Sequence, residues 1–367
     1  MRSNPAGRSR RLPTAALLAC LPLLLAASPG TLPARDAPPP RVEVVTDDGG
    51  SRLQVGGRDF PVFGMNWDYM PLGHNYTYNL WAQPDEVIVA ALDREMSLLQ
   101  NMGVNAIRQS VGVPPRWVAY IHEKYGIFTV LNHVVGRYGL TLAGVWTPAT
   151  DYGDPATRAQ LRGEVSAMVE QYRGTPGVLM WLLGNENNYG LSWKSFEIEA
   201  LPAGERDAAR ARHLYSLFGE IIRDVHRLDP DRPVAIANGD VQYIDLIAEE
   251  CPDLDVFGTN VYRGVSARDL FQVVREKLGT PVMFTEFGSD AFNAVTMRED
   301  QAMQARYLLA QWRESYTQAA GQGREGNAIG GLVFQWSAGW WKYLQDSRLD
   351  VHDPHASWPN GGSVEGF

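Results

Sequence analysis

The sequence predicts an α/β fold, a (β/α)8 TIM barrel preceded by a short β-hairpin, and three observations predict it. Short apolar segments recur eight times between residues 61 and 345, and seven are followed by stretches with helical spacing. That alternation means parallel strands joined by crossover helices. The span suits a closed barrel, for which about 250 residues is typical. Polar residues accumulate where the apolar segments end, as they do at the working face of such a barrel. A doubly wound sheet is the alternative, but no Gly-rich phosphate loop opens the first β–α unit.

Taken in order, RVEVV and RLQVGG flank the turn signal DDGG, so residues 41–60 read as a β-hairpin leading into the barrel. FPVFGMN is the first barrel strand, and residues 84–102 carry apolar groups at helical spacing after Pro84. VNAIRQS, helix PRWVAYIHEKYG and IFTVLNH follow. DPATRAQLRGEVSAMVEQYRG reads as a helix with Asp154 as N-cap and Pro155 in its first turn. GVLMWLLGNE precedes a helix at ERDAARARHLYSLFGEIIRDVHRLDP, and RPVAIAN precedes one from about residue 241. LDVFGTNVY, helix ARDLFQVVREKLG, TPVMFTEFG, a helix from Met297 to Ala320 and GGLVFQW complete the set. No eighth helix is legible after Trp336; residues 346–367 read as an irregular tail. Either an irregular segment completes the barrel there or the chain is cut short.

The 45% hydrophobic residues leave ample material for a large core. A net charge of -9 argues against a nucleic-acid surface. Residues 1–28 read as a signal peptide: four arginines, the apolar run Ala15–Ala27, and small residues at 26–28 for cleavage. Residues 29–40 read as a Pro-rich tether. The expectation is a secreted or periplasmic protein with no membrane span once the leader is removed. Ser9-Arg10-Arg11 hints at a twin-arginine signal, and lipidation at Cys20 is disfavoured because the apolar run continues past it. Removal of the leader would leave Cys251 as the single cysteine, so neither an internal disulfide nor a cysteine metal site is expected. No metal or other cofactor is expected; HDPH at 352–355 is the best metal candidate and a poor one. Asn75-Tyr76-Thr77 is a formal glycosylation sequon of a kind that also arises by chance.

The strand ends then supply the chemistry: Asn66, Arg108, Asn132-His133, Asn185-Glu186, Asn238, Asn260 with Tyr262, Glu286, and Gln335-Trp336. A carboxylate closing the apolar run WLLG is costly unless paired or put to use. Taken singly, Glu186 could cap a helix or pair with Arg108. Glu286, at the matching end of another strand, makes the pair that retaining glycoside hydrolysis needs: one carboxyl to donate a proton, one to attack. Their environments must push the two pKa values apart. Arg108 is placed to keep a nucleophile ionised, and Tyr262 to hydrogen-bond it.

GVNAIRQSVGVPP, TPGVLMWLLGNEN, PVMFTEFGSDAF and GGLVFQWSAGWW resemble the barrel domain of glycoside hydrolase family 2, in the clan A superfamily, from about Phe63 to Trp341. That family includes β-galactosidases, β-glucuronidases and β-mannosidases. The resemblance implies Glu186 as general acid/base, Asn185 on the sugar 2-hydroxyl and Glu286 as nucleophile. It implies Arg108 and Tyr262 as positioners of that nucleophile and Trp336 as the floor of a subsite, with His133, Asn66 and Asn260 lining the pocket. The implied substrate is an oligo- or polysaccharide. Two departures stand out. Family 2 enzymes carry β-sandwich domains before the barrel, where this chain has a hairpin; and Gln109-Ser110-Val111-Gly112 replaces the usual Thr-Ser-His-Tyr. The familiar exo-acting specificities are thereby in doubt, and a β-glucan hydrolase or transglycosylase using the same glutamates is a serious alternative. A carbohydrate-binding protein on a barrel without activity is the reading from another class. Tyr189 and Trp193 follow Glu186 on a loop where substrate contact is plausible, and Trp340 and Trp341 suit either subsites or packing.

Overall fold

A computed structural model of the chain describes residues 38–75, 77–110, 112–293 and 296–337. The expected leader, most of the tether, the 346–367 tail, Cys20, Trp340, Trp341 and the HDPH segment lie outside the described residues.

The barrel strands are β1 (Val62–Asn66), β2 (Ala106–Ser110), β3 (Phe128–His133), β4 (Val178–Leu183), β5 (Val234–Gly239), β6 (Val256–Val261), β7 (Val282–Phe287) and β8 (Ala328–Val333). They form a closed sheet in chain order, every neighbouring pair parallel. A strand in such a sheet is covered on both faces, which is why VLMWLL is apolar without alternation and wholly buried. The closing pair is β8 with β1, in register Gly330↔Val62 to Val333↔Met65. Gly330 (φ +107) makes that seam possible, because a Cβ there would fall 2.1 Å from the Val62 carbonyl oxygen. Closure is therefore complete within the described residues, without reference to an eighth helix.

The connecting helices are α1 (Asp85–Asn101), α2 (Pro115–Tyr125), α3 (Pro155–Tyr172), α4 (Arg206–Leu228), α5 (Ile244–Glu250), α6 (Leu270–Lys277) and α7 (Gln301–Thr317). Their starts follow local chemistry. Asp154 caps α3 by accepting from the Thr157 N–H, and Gly126 ends α2 in the left-handed region. α7 begins four residues later than the spacing predicts. Asp300 accepts from Met303 N–H as its N-cap, and Arg298–Glu299 is drawn into a two-stranded ladder with Phe292–Asn293. A second small hairpin, Leu140–Leu142 with Val145–Thr147, rises from the β3–α3 connection and was not legible in the sequence. No described helix is long and apolar enough to cross a membrane.

Two apolar layers result. Outside the sheet, a large cluster joins strands to helices; inside it, Val62, Ala106, Val130, Leu182, Ala237 and Val256 pack on one another. The expected hairpin, Val42–Asp47 with Gly50–Val55, sends Val42 and Leu53 into this inner cluster. Its backbone bonds to the Asp231 and Gly326 carbonyls, just before β5 and β8. The hairpin thus floors the N-terminal end of the barrel and leaves the C-terminal end as the working face. Replacing Leu182, fully buried in the inner layer, by Ala should cost about 2–5 kcal/mol, read as a lower urea midpoint. Phe196→Ala, at a residue 94% exposed, should stay within about 0.5 kcal/mol.

Candidate active site

Strand alternation decides which strand-end residues meet. On β2, Ala106, Arg108 and Ser110 face inward while Ile107 and Gln109 face the helices, and Arg108 is 7% exposed at the barrel axis. A guanidinium this deep needs acceptors for all its N–H groups. Nε and Nη2 donate to Asn132 Oδ1 at 3.0 and 2.8 Å, and Nη2 also to Asn185 Oδ1 at 2.8 Å. Nη1 donates to Glu286 Oε1 at 2.8 Å, to the Thr285 carbonyl at 3.2 Å and to Asn66 Oδ1 at 3.3 Å. The asparagines are themselves pinned by backbone. Asn132 donates to the Leu182 and Gly184 carbonyls, and Asn66 to those of Thr285, Leu332 and Val333.

Glu286 is turned inward by a β-bulge. Thr259 pairs with Phe284 but Asn260 with Glu286, so Thr285 is an extra residue on β7. Phe284 and Phe287 can then both pack outward, against Phe271 and Trp312, with Thr285 and Glu286 between them facing the axis. The Glu286 carboxylate accepts from Arg108 on one oxygen and from the Tyr262 hydroxyl, at 3.2 Å, on the other. Burial and the negative charge of Glu286 hold that tyrosine well above its ordinary pKa, so it stays a donor.

Glu186 is set up differently. The chain turns sharply after β4: Gly184 (φ +80) leaves no room for a Cβ beside Asn187 Oδ1, and Glu186 itself is left-handed at φ 54. Such a conformation in a non-glycine residue persists only when its surroundings hold it. Here the Glu186 N–H bonds to the Ala237 carbonyl and the Asn185 N–H to Asn187 Oδ1, at 2.8 Å each. Asn260 donates to Glu186 Oε1 at 3.0 Å and is oriented by the Thr285 hydroxyl, which donates to its Oδ1 at 2.7 Å. Burial, and then the charge of Glu286, raise the Glu186 carboxyl above its usual value; Asn260, Arg137 and Arg108 pull the other way.

Seven of the residues expected from sequence therefore share one network: Glu186, Glu286, Asn185, Arg108, Tyr262, Asn66 and Asn260. Two do not. His133 is one alternation step from Asn132 and points away from the axis; its Nδ1 accepts from the Val135 N–H and its Nε2 lies 3.6 Å from Glu164 on α3. Trp336 lies three residues beyond the end of β8, where alternation no longer applies. Its backbone N–H bonds to the Asn66 carbonyl, its indole donates to Glu95 of α1, and its ring packs against the outer apolar cluster. Asn238 also faces outward, accepting from Tyr215. Trp193 is buried against Tyr152, whereas Tyr189, 55% exposed, lies over Gly239, and burial and the charge of Glu186 push its hydroxyl up to about 12. The sequence reading gave no role to Thr285, to Asn132, or to Tyr138, whose hydroxyl accepts from Asn185 at 2.7 Å. Period-two alternation singles out Asn132 over His133; nothing local marks the other two. Among the described residues no group of three or more His, Cys, Asp or Glu could hold a metal ion.

The family model described as glycosyl hydrolases family 2, TIM barrel domain, matches residues 86–350. A β-galactosidase of Lactococcus lactis is 26% identical over 140 residues, 38% of this chain and 12% of that protein. Among solved structures, a β-glucuronidase of Bacteroides uniformis (18% identity, TM-score 0.51) covers 80% of this chain and 35% of its own. A β-galacturonidase of Eisenbergiella tayi bound to galacturonate (17%, TM-score 0.52) covers 80% and 46%. At that identity the likeness is one of fold, and the chain spans less than half the length of each of these proteins.

The charge environment of Glu186 gives a direct test. Glu286→Gln removes a raising charge, so the Glu186 carboxyl, followed by carbon-detected NMR, should titrate at lower pH. Arg137→Ala removes a lowering charge and should move it up. Identical titrations in all three proteins would show that neither charge sets the value.

Proposed function

Because the chain belongs to glycosyl hydrolase family 2 through its TIM barrel domain, we propose that it cleaves β-linked glycosides or glucans with retention of anomeric configuration. The observation that carries this reading is the unequal setting of two carboxyls at one rim. Glu286 is ion-paired to Arg108 and hydrogen-bonded by Tyr262, which suits an ionised nucleophile. Glu186 has a neutral amide donor instead and a raised pKa, which suits an acid that must begin protonated.

Glu186 gives its proton to the glycosidic oxygen while a Glu286 oxygen attacks the anomeric carbon. The bond to the leaving group breaks and a glycosyl–Glu286 ester forms. Glu186, now ionised, takes a proton from water as that water attacks the same carbon, which releases the sugar and restores both carboxyls. Arg108 and Tyr262 hold the attacking oxygens and withdraw charge when Glu286 leaves again. Asn185, held between Arg108 and Tyr138, presents an amide to a sugar hydroxyl. The relatives named above differ in their sugar and share the β-glycosidic bond, so the β-linkage is what they support. Replacing the water by a sugar acceptor gives transglycosylation from the same intermediate.

Glu186→Gln and Glu286→Gln should each cut turnover of a susceptible aryl β-glycoside by several orders of magnitude. Proton NMR of the first product should show the β-anomer. Wild-type activity should fall as pH rises through the Glu186 pKa, since the acid must start protonated. Initial release of the α-anomer, or near-normal turnover by either variant, would overturn the mechanism; sugar transfer to an added acceptor would identify a transglycosylase. The leader-like residues 1–28 support export, and N-terminal sequencing of the mature protein should then begin near residue 29.

A further inference from the structure

Glu186 stands just beyond β4, and β4 lies between β3 and β5 in the ring. Exposed aromatic side chains flank it on both sides. On the β3 side is Tyr138, in the connection from which the small hairpin rises; its hydroxyl reaches the amide of Asn185, the neighbour of Glu186. On the β5 side is Tyr189, in the turn that follows Glu186. Its N–H bonds to the Glu186 carbonyl at 2.9 Å, and its ring packs against Gly239 at the end of β5. Trp146, on the second strand of the hairpin, continues the row past Tyr138, with its indole packed against Gly139.

Each ring is backed by the protein and still open to solvent. The Arg137 guanidinium lies 5.3 Å from the centre of the Tyr138 ring. A Cβ on Gly139 would fall 2.5 Å from the Trp146 ring, and one on Gly239 2.3 Å from that of Tyr189, so only glycine lets these rings settle so closely. Tyr138 and Trp146 are nevertheless both 60% exposed, and Tyr189 55%. The turn that carries Tyr189 is clamped from both sides. Asn187 donates to the Val134 and Val135 carbonyls, after β3, and Asn188 exchanges hydrogen bonds with the backbone of Gly239. Large aromatic side chains fixed in place at one rim, yet unburied, argue for a binding surface rather than for packing. Because these rings are held before anything binds, little ordering remains to be done on binding.

We propose that Tyr138 and Tyr189 receive the leaving group of the substrate, that this leaving group is itself a sugar residue, and that Trp146 receives the residue after it. The assignment rests on the retaining-glycosidase reading above. The group that takes a proton from Glu186 must lie beside Glu186, where these rings stand, whereas the sugar under attack lies at Glu286. Aromatic faces suit the C–H face of a sugar ring, and polar groups between them suit its hydroxyls. The Tyr138 hydroxyl accepts from Asn185 and so keeps its own proton to donate. Arg137, the one charged residue from Val134 to Thr150, brings only donors, which hydroxyl oxygens can accept. The preferred substrate is accordingly a β-linked oligosaccharide extended on its reducing side.

The test compares methyl and benzyl β-glycosides of glucose, galactose and mannose with the β-linked di- and trisaccharides of the same sugars. For the sugar that is cleaved, kcat/KM should rise at least tenfold from the methyl glycoside to the disaccharide, and further to the trisaccharide. Tyr189→Ala should cut the first gain threefold or more and Trp146→Ala the second, with circular dichroism confirming the fold. Tyr138 is left intact, since its hydroxyl also holds Asn185. A wild type indifferent to the leaving group, a benzyl glycoside that gains as much as the disaccharide, or variants that keep the full gains would overturn the subsite while leaving the two-carboxylate mechanism intact. If the wild type cleaves no member of the series, the mechanism fails instead. Calorimetry of the wild type with the same sugars then decides: tighter binding of the disaccharide than of the methyl glycoside, lost in Tyr189→Ala, supports the subsite, and equal or absent affinities reject it.

Discussion

The buried guanidinium of Arg108 is the constraint on which the rest of the site depends. A cation at 7% exposure is tolerable only with its donors matched, and the matching groups come from β1, β3, β7 and the turn after β4. Asn66 and Asn132 are in turn tied to backbone carbonyls of neighbouring strands, Asn185 donates to the Tyr138 hydroxyl and Glu286 accepts from that of Tyr262. The result is a rigid polar layer lying on the apolar layer beneath it. Only one of these partners is a carboxylate, so the positive charge is spent on Glu286, while Glu186 is left with an amide.

The two glutamates are distinguished by how the backbone delivers them. Glu286 arrives through a bulge that inserts Thr285 and lets two phenylalanines stay with the helices. Glu186 arrives through a left-handed turn made possible by Gly184. Thr285 serves both sides: its carbonyl takes bonds from Arg108 and Asn66, and its hydroxyl orients the Asn260 that contacts Glu186. The surroundings of Glu286 and the amide donor to Glu186 are thus coupled through one residue.

Much of this was legible in the sequence because a parallel barrel writes itself as apolar runs with polar ends. The eight strands, the floor hairpin and both glutamates follow from that pattern. Alternation, applied to β3, would also have chosen Asn132 over His133. The bulge in β7 was not legible, since an extra residue in a strand changes which side chains face inward without changing composition. Trp336 took its role from the family resemblance; in the structure it lies beyond the end of β8 at Val333 and its indole donates to Glu95 on α1. The hairpin carrying Val145–Thr147 and the contact from Tyr138 depend on loop shape, which no period encodes.

The seam between β8 and β1 sets the order in which the site can come into being. Asn66, the first site residue in the chain, bonds to carbonyls of Thr285, Leu332 and Val333, more than two hundred residues later. The floor hairpin likewise waits for Gly326. Contacts so distant in sequence form slowly and late. In a chain made from its N-terminus, Asn132 and Asn185 are available to Arg108 early, whereas Glu286 and the carbonyls that hold Asn66 come only with β7 and β8. Completion of the polar network around Arg108 and closure of the ring then both fall to the last two strands, which bring Glu286 and the carbonyls that hold Asn66.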